Sequence, residues 1–278
     1  MKKILLVLLA VLLLVAGFAG CGGKAQENYV VLDENFGDEL YGIGFRDTDQ
    51  ALAKAVQDAL DEMMEDGTAT EISEKWFKAD LYLQDQDYTE DLTPQEGDTS
   101  LTDIQAKGKL VLGLDENFPP MGFRDAESNE IVGFDIDLGK EVAKRMGLEL
   151  VIQPIDWDSK EMELSSGSID MIWNGMTITD DRIESMTISK PYISNKQVII
   201  VPESSSIKTK ADLADKKVGL QKGSSAYEAL TADEATFKTL AEVVQYPDNV
   251  TVFTDLKAGR IDAFVVDEVN GRWIIENN

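Results

Sequence analysis

The stretch Asn174-Gly175-Met176-Thr177-Ile178-Thr179-Asp180-Asp181-Arg182 decides how this chain is read. It follows the apolar run Ile169–Trp173, which reads as a buried strand, and it leads into a helix start. Thr179 suits an N-cap, and Asp180 and Asp181 fall in the first turn, where acidic side chains favour the helix dipole. A strand that ends in Gly and Thr and then turns into a helix gathers backbone N–H groups and a hydroxyl at one point. With the planar guanidinium of Arg182 these groups form a receptacle for a carboxylate. The same residues also suit a plain cap and a surface ion pair, so the rest of the chain has to weigh in.

At 278 residues the chain is long enough for two lobes, and a hydrophobic content of 43% supplies their cores. The charge is lopsided, with 26 basic against 52 acidic residues and a net charge of −26. Such a surface repels phosphate backbones, which excludes nucleic acid as a partner. There is no histidine and one cysteine, so His-based acid–base catalysis, Cys–His nucleophiles and most zinc sites are excluded together. No cofactor motif is present. Lys2 and Lys3, the apolar run Ile4–Val15 and the small residues Ala16, Gly17, Ala19 and Gly20 read as a signal peptide over 1–20. Cys21 follows Phe18-Ala19-Gly20, which resembles the lipobox of bacterial lipoproteins with Phe18 in place of the usual Leu. Cys21 is therefore expected to be lipidated, with 21–28 as a tether holding the protein outside the cytoplasm at the cell membrane.

Downstream, Tyr29–Leu32 and Glu39–Phe45 read as two strands, residues 51–64 as a helix closed at Gly67, and 69–78 as a second helix. Residues 79–100 carry seven acidic residues and no Lys or Arg, the composition of an extended linker. Beyond it strands and helices alternate. Strands are expected at 110–114, 148–155, 169–173, 197–201, 217–220, 243–246 and 261–266. Helices are expected at 134–146, 225–231, 233–243 and 252–258. That alternation argues for parallel α/β sheets with ligands at the carboxyl ends of the strands. Four more strand ends carry chemistry. Asp115 and Phe118 precede two prolines that hold the ring up as an exposed platform, and Trp157 ends the next strand. Gly223, Ser224 and Ser225 open a helix as a second anion cradle, and Asp267 ends the last strand. A cation binder, a carboxylate clamp and two flat apolar faces suit an α-amino acid.

Here the sequence resembles the polar amino acid-binding proteins of ABC importers. The motifs are Gly113-Leu-Asp115 with Phe118-Pro-Pro, Gly133-Phe-Asp-Ile-Asp-Leu, Gly175-Met-Thr-Ile-Thr-Asp-Asp-Arg182, Gly223-Ser-Ser and Gly259-Arg-Ile-Asp-Ala-Phe-Val-Val-Asp267-Glu. The resemblance implies the two-lobed type II periplasmic-binding-protein α/β fold with two hinge strands. It implies that Arg182 grips the ligand α-carboxylate with help from Thr177 and the amides near Gly175 and Ser224. Asp267 takes the α-ammonium, Phe118 and Trp157 sandwich the side chain, and Asp115, Asn174 and Lys222 read its far end. Lys160-Glu161 departs from the family, which more often has aliphatic residues there.

The order also departs. Members of the family end with a segment resembling Tyr41-Gly-Ile-Gly-Phe-Arg, a helix like 51–65 and Glu71-Ile-Ser-Glu-Lys-Trp-Phe77, and in this chain that tail comes first. The expectation is a circular permutation in which 80–103 joins the original termini. One lobe then comprises 29–40 and 197–278, and the other 45–79 and 104–192. The function implied is a monomeric receptor, not an enzyme, that hands an amino acid to the permease of an ABC importer. A dehydratase-like enzyme on the same fold, with Glu116 as acid or base, and a ligand-sensing module are the alternatives.

Overall fold

The computed structural model describes residues 27–83 and 92–277. Residues 1–26, and with them the signal peptide, Cys21 and most of the tether, lie outside the described residues, as do 84–91 of the linker.

The strands are β1 (Tyr29–Phe45), β2 (Lys109–Leu114), β3 (Asn117–Phe118), β4 (Gly122–Arg124), β5 (Ile131–Val132) and β6 (Glu149–Pro154). They continue with β7 (Met171–Thr177), β8 (Thr187–Ile188), β9 (Ile193–Pro202), β10 (Lys217–Gln221), β11 (Glu242–Tyr246) and β12 (Ala263–Asp267). The helices are α1 (Gln50–Glu65), α2 (Thr68–Phe77), α3 (Ser100–Lys107), α4 (Phe134–Arg145) and α5 (Lys160–Ser166). After these come α6 (Asp180–Ser185), α7 (Ser225–Ala232), α8 (Glu234–Phe237), α9 (Asn249–Lys257) and α10 (Glu268–Asn277).

One mixed sheet runs β11-β10-β12-β9-β1-β7-β2-β6, with β8 paired to β1. Within it β10 is parallel to β11 and β12, and β2 is parallel to β6 and β7. The two central strands β1 and β9 run antiparallel to each other and to their outer neighbours, so the sheet is not the all-parallel one that the alternation suggested. The two segments expected as separate strands, Tyr29–Leu32 and Glu39–Phe45, are one strand of 17 residues, with register shifts against β9 between Val31 and Asn35 and between Asn35 and Asp38. Its first part pairs with β9 (Val30 with Val201), and its last part pairs with β7 and β8. The amino-terminal segment thus lies in the same sheet as Val218 and Phe264.

Each half of the sheet is covered on both faces, which is why its strands read as apolar runs. In the first half, Phe45, Leu52, Leu60, Met63, Leu112, Phe134 and Trp173 pack on one face, and Ile169, Ile172, Met176 and Ile188 on the other. In the second half, Leu32, Ile199, Val201, Leu220, Leu230 and Val265 pack against one side, and Val198, Ile200, Phe253, Phe264 and Ile274 against the other.

Several local expectations are corrected. The strand expected to stop at Trp173 runs on through Asn174 and Gly175 to Thr177. The helix expected over 233–243 is the single turn α8, because Glu242 already belongs to β11, which pairs with β10. The linker reading ends early: Ser100–Lys107 is helical, and Asp98 and Ser100 accept from the Ala51 and Leu52 amides at the start of α1 (2.6 and 3.1 Å). A helix start leaves unpaired N–H groups, and here the chain from the far side of the linker satisfies them.

Candidate ligand-binding site

The site lies where the two halves face each other, in a narrow cleft. Asp115, Phe118, Trp157, Asn174, Gly175, Thr177, Arg182, Ser224, Ser225 and Asp267 all line it. Of the residues singled out in the sequence, Gly223 turns its carbonyl toward this region without lining the cleft. Lys222 points away and pairs with Asp158 at 2.7 Å on the exposed rim. Phe118 and Trp157 are buried walls (5% and 6% exposed) rather than an exposed platform.

Arg182 is the centre of the arrangement. Thr179 caps α6 by accepting from the Arg182 amide (3.4 Å), which starts the helix one turn before the guanidinium. Only 5% of Arg182 is exposed; Nη1 donates to the Thr177 carbonyl at 2.7 Å and Nη2 to the Gly223 carbonyl at 3.5 Å. Burial pulls its pKa down from the usual value, opposed by the fields of Glu228, Glu161, Glu39 and Asp267. Among the described residues no carboxylate ion-pairs with this guanidinium, although a buried charge is costly unless paired.

At the end of β12, Asp267 is equally enclosed (4% exposed), and its Oδ1 accepts from Tyr41 Oη (2.7 Å) and Asn195 Nδ2 (2.9 Å). Asn195 Nδ2 also donates to Glu39, which accepts from Gln197 Nε2 at 2.9 Å. Burial first, and then the neighbouring Asp267, push the Glu39 carboxyl well above the usual range. On the opposite side Asp115 Oδ1 accepts from the Asn117 amide (2.8 Å) and Oδ2 from Gln221 Nε2 (2.7 Å). Burial pushes Asp115 up to about 6, against those hydrogen bonds.

Gly175 takes φ of +58°, where a Cβ would stand 2.9 Å from the Phe118 ring, so only glycine leaves room for the aromatic wall. Its N–H is not a free donor: it is held by Asp135 Oδ2 (2.7 Å) and Tyr192 Oη (3.2 Å), which removes it from the anion cradle that the sequence suggested. Burial raises Asp135 to about 8. The two walls already touch: Thr177 Oγ1 lies 2.9 Å from Ser225 Oγ, Gln221 bonds Asp115, and Asn270 Nδ2 donates to the Pro119 carbonyl at 2.6 Å.

Sequence reasoning missed Gln221, which lines the cleft, and Glu39, Asn195 and Gln197 behind Asp267. Gln221 was within reach, because it is the last residue of β10, immediately before the Gly-Ser-Ser turn. The other three gave no signal, since each matters only through a partner far away in the chain.

The family model of the bacterial extracellular solute-binding proteins, family 3, matches residues 9–79 and 110–242, more than half of the chain. The chain belongs to this family. Among relatives of this family 3 protein, the L-cystine-binding protein of Escherichia coli K12 is 33% identical over 171 residues, 61% of this chain and 62% of that protein. The chain thus spans just under two thirds of that relative's length. The ABC transporter arginine-binding protein 1 of the same organism is 34% identical over 173 residues, 62% of this chain and 69% of that one. A substrate-binding protein of an ABC uptake transporter from Streptococcus pneumoniae, solved with bound histidine, superposes with a TM-score of 0.63 at 38% identity, covering 66% of this chain and 74% of that one. The mixed α/β architecture is that of the type II periplasmic binding proteins.

Proposed function

We propose that this family 3 protein is an extracytoplasmic receptor that closes two lobes on one amino acid and delivers it to the permease of an ABC importer. The observation that carries the reading is the buried Arg182 guanidinium, unmatched by any carboxylate of the described residues, sharing a cleft with the buried Asp267 carboxylate. A zwitterion supplies the counter-charge to both, and it touches both lobes only when they are closed, which gives it differential affinity for the closed state. Thr177 and the Ser224–Ser225 turn complete the carboxylate subsite, Phe118 and Trp157 flank the ligand side chain, and Asn174 and Gln221 border it. The lobes are 45–79 with 104–192 and 29–40 with 197–278, hinged where β1 and β9 cross between them. Relatives named as binding proteins support binding without turnover as the reading for this chain, which is taken to act as a monomer.

Asp115 points to a ligand whose side chain is cationic, in keeping with relatives named for arginine and histidine. Because its pKa stands above the ordinary carboxylate value, the stability it contributes is full at low pH and is lost as pH rises through about 6. Ligand binding has the opposite sign, since a cation pairs only with the ionised carboxylate. Titration calorimetry against the standard amino acids is expected to find a basic ligand whose affinity rises about ten-fold from pH 5 to pH 7. The rise should vanish in Asp115→Asn. A ligand with a neutral side chain, or a flat profile in the parent, overturns this assignment.

The tail-first order is read as a circular permutation. It is supported by the first strand taking a central place in the sheet, beside β9 and β7. Cys21 is read as the lipid anchor at the cell membrane. Radiolabelled palmitate should be incorporated by the parent and not by Cys21→Ser, and label retained in the serine variant overturns the anchor.

A further inference from the structure

Lys160 stands where the family resemblance led us to expect an aliphatic residue, and the structure gives its ammonium a defined place. It is the first residue of α5, 2% exposed, with the ammonium 5.1 Å from the centre of the Trp157 ring. Nζ donates to the Trp157 carbonyl (3.3 Å) and lies 2.9 Å from Glu161 Oε1, both on its own wall. Its remaining bond crosses the cleft, to the Gly223 carbonyl at 2.9 Å. That carbonyl is the one Arg182 Nη2 reaches from the same side, so two buried cations converge on a single backbone oxygen of the opposite wall. Gly223 lies flush against this wall: it takes φ of +70°, and a Cβ there would stand 2.9 Å from Asp158 Cα.

We propose that Lys160 is a positioning residue for the carboxylate subsite, clamping the Gly223 carbonyl so that the Gly223–Ser225 turn closes over Arg182. The proposal rests on the amino-acid reading above. The neighbouring Lys222–Asp158 pair crosses the same gap, but both side chains are about half exposed, and an exposed pair contributes little. A hydrogen bond from a buried ammonium is stronger, and it exists only while the walls are together. Lys160 also adds positive field beside Arg182: burial and then Arg182 itself pull its pKa down, which signals that the two cations feel one another. An anionic group brought between the walls relieves that repulsion. Clamping acts after encounter, so its effect belongs in the dissociation rate.

The test is stopped-flow binding of L-arginine, L-histidine and L-cystine to the parent, Lys160→Met, Lys160→Arg and Arg182→Ala, with the melting temperature of each unliganded protein measured alongside. Methionine keeps the length and the contact with Trp157 while removing the donor. The expected result is dissociation at least ten-fold faster in Lys160→Met, with association and unliganded melting unchanged and the parent rate recovered in Lys160→Arg. A Lys160→Met protein that releases ligand at the parent rate, or loses affinity only through slower association, overturns the clamp and leaves the amino-acid reading standing. An Arg182→Ala protein that binds like the parent overturns that reading, and the clamp with it.

Discussion

Arg182→Ala is expected to lower amino-acid affinity by about a thousand-fold or more, while the unliganded protein melts at the parent temperature or slightly above it. The two effects have one cause. In the complex the guanidinium is the cation that the ligand carboxylate meets, and stranding a buried charge by removing its partner costs about 3–5 kcal/mol. Arg182 itself is 5% exposed, its guanidinium donates to the Thr177 and Gly223 carbonyls, and burial disfavours its charged form. Removing it from the unliganded protein therefore relieves a desolvation cost that offsets the lost hydrogen bonds. Arg182→Lys is expected to recover little, because an ammonium cannot reproduce the planar fork. Calorimetric titration together with a melting curve reads both effects. Unchanged affinity would sink the assignment, and a collapsed fold would mean that Arg182 is structural.

A chain that begins at residue 33 is expected to lose about 5 kcal/mol of stability or more, enough to threaten folding altogether. The six described residues removed include four that pack. Val30 and Leu32 face one core of the second half, while Tyr29 and Val31 face the other, with the Tyr29 ring edge-on to Phe253 at 4.8 Å. Their loss also strips Ile200, Val201 and Pro202 of β9 of their pairing partner, leaving an apolar strand edge open to other chains. Urea unfolding and size-exclusion chromatography measure the two consequences. A truncated protein with the parent's midpoint and no tendency to aggregate would show that this segment is an appendage, and the permutation reading would fall with it.

What the sequence showed best was chemistry held within one turn of chain. Thr179, Asp180 and Asp181 announce the start of α6, and Arg182 follows at fixed spacing, so both cap and cation were legible. The end of β7 was not, because Asn174 and Gly175 have the composition of a loop. They stay within β7, where Asp135 and Tyr192, distant in sequence, accept from the Gly175 N–H. The helix α5 hid for a related reason: Lys160 reads as a solvated residue until the turn from β10 covers it. Glu39 sat in plain view as an acidic residue of a strand, and nothing local hinted that Asn195 and Gln197 would enclose it beside Asp267. The acidic character of 79–100 was legible, whereas its role in capping α1 through Asp98 depends on the return path of the chain.

β1 hydrogen-bonds to β9 along one part of its length and to β7 and β8 along the rest, so both sets of cores rest on the same backbone. Melting either set strips that ladder from the other. The molecule is therefore built to denature in a single cooperative step, despite having a crevice through its middle.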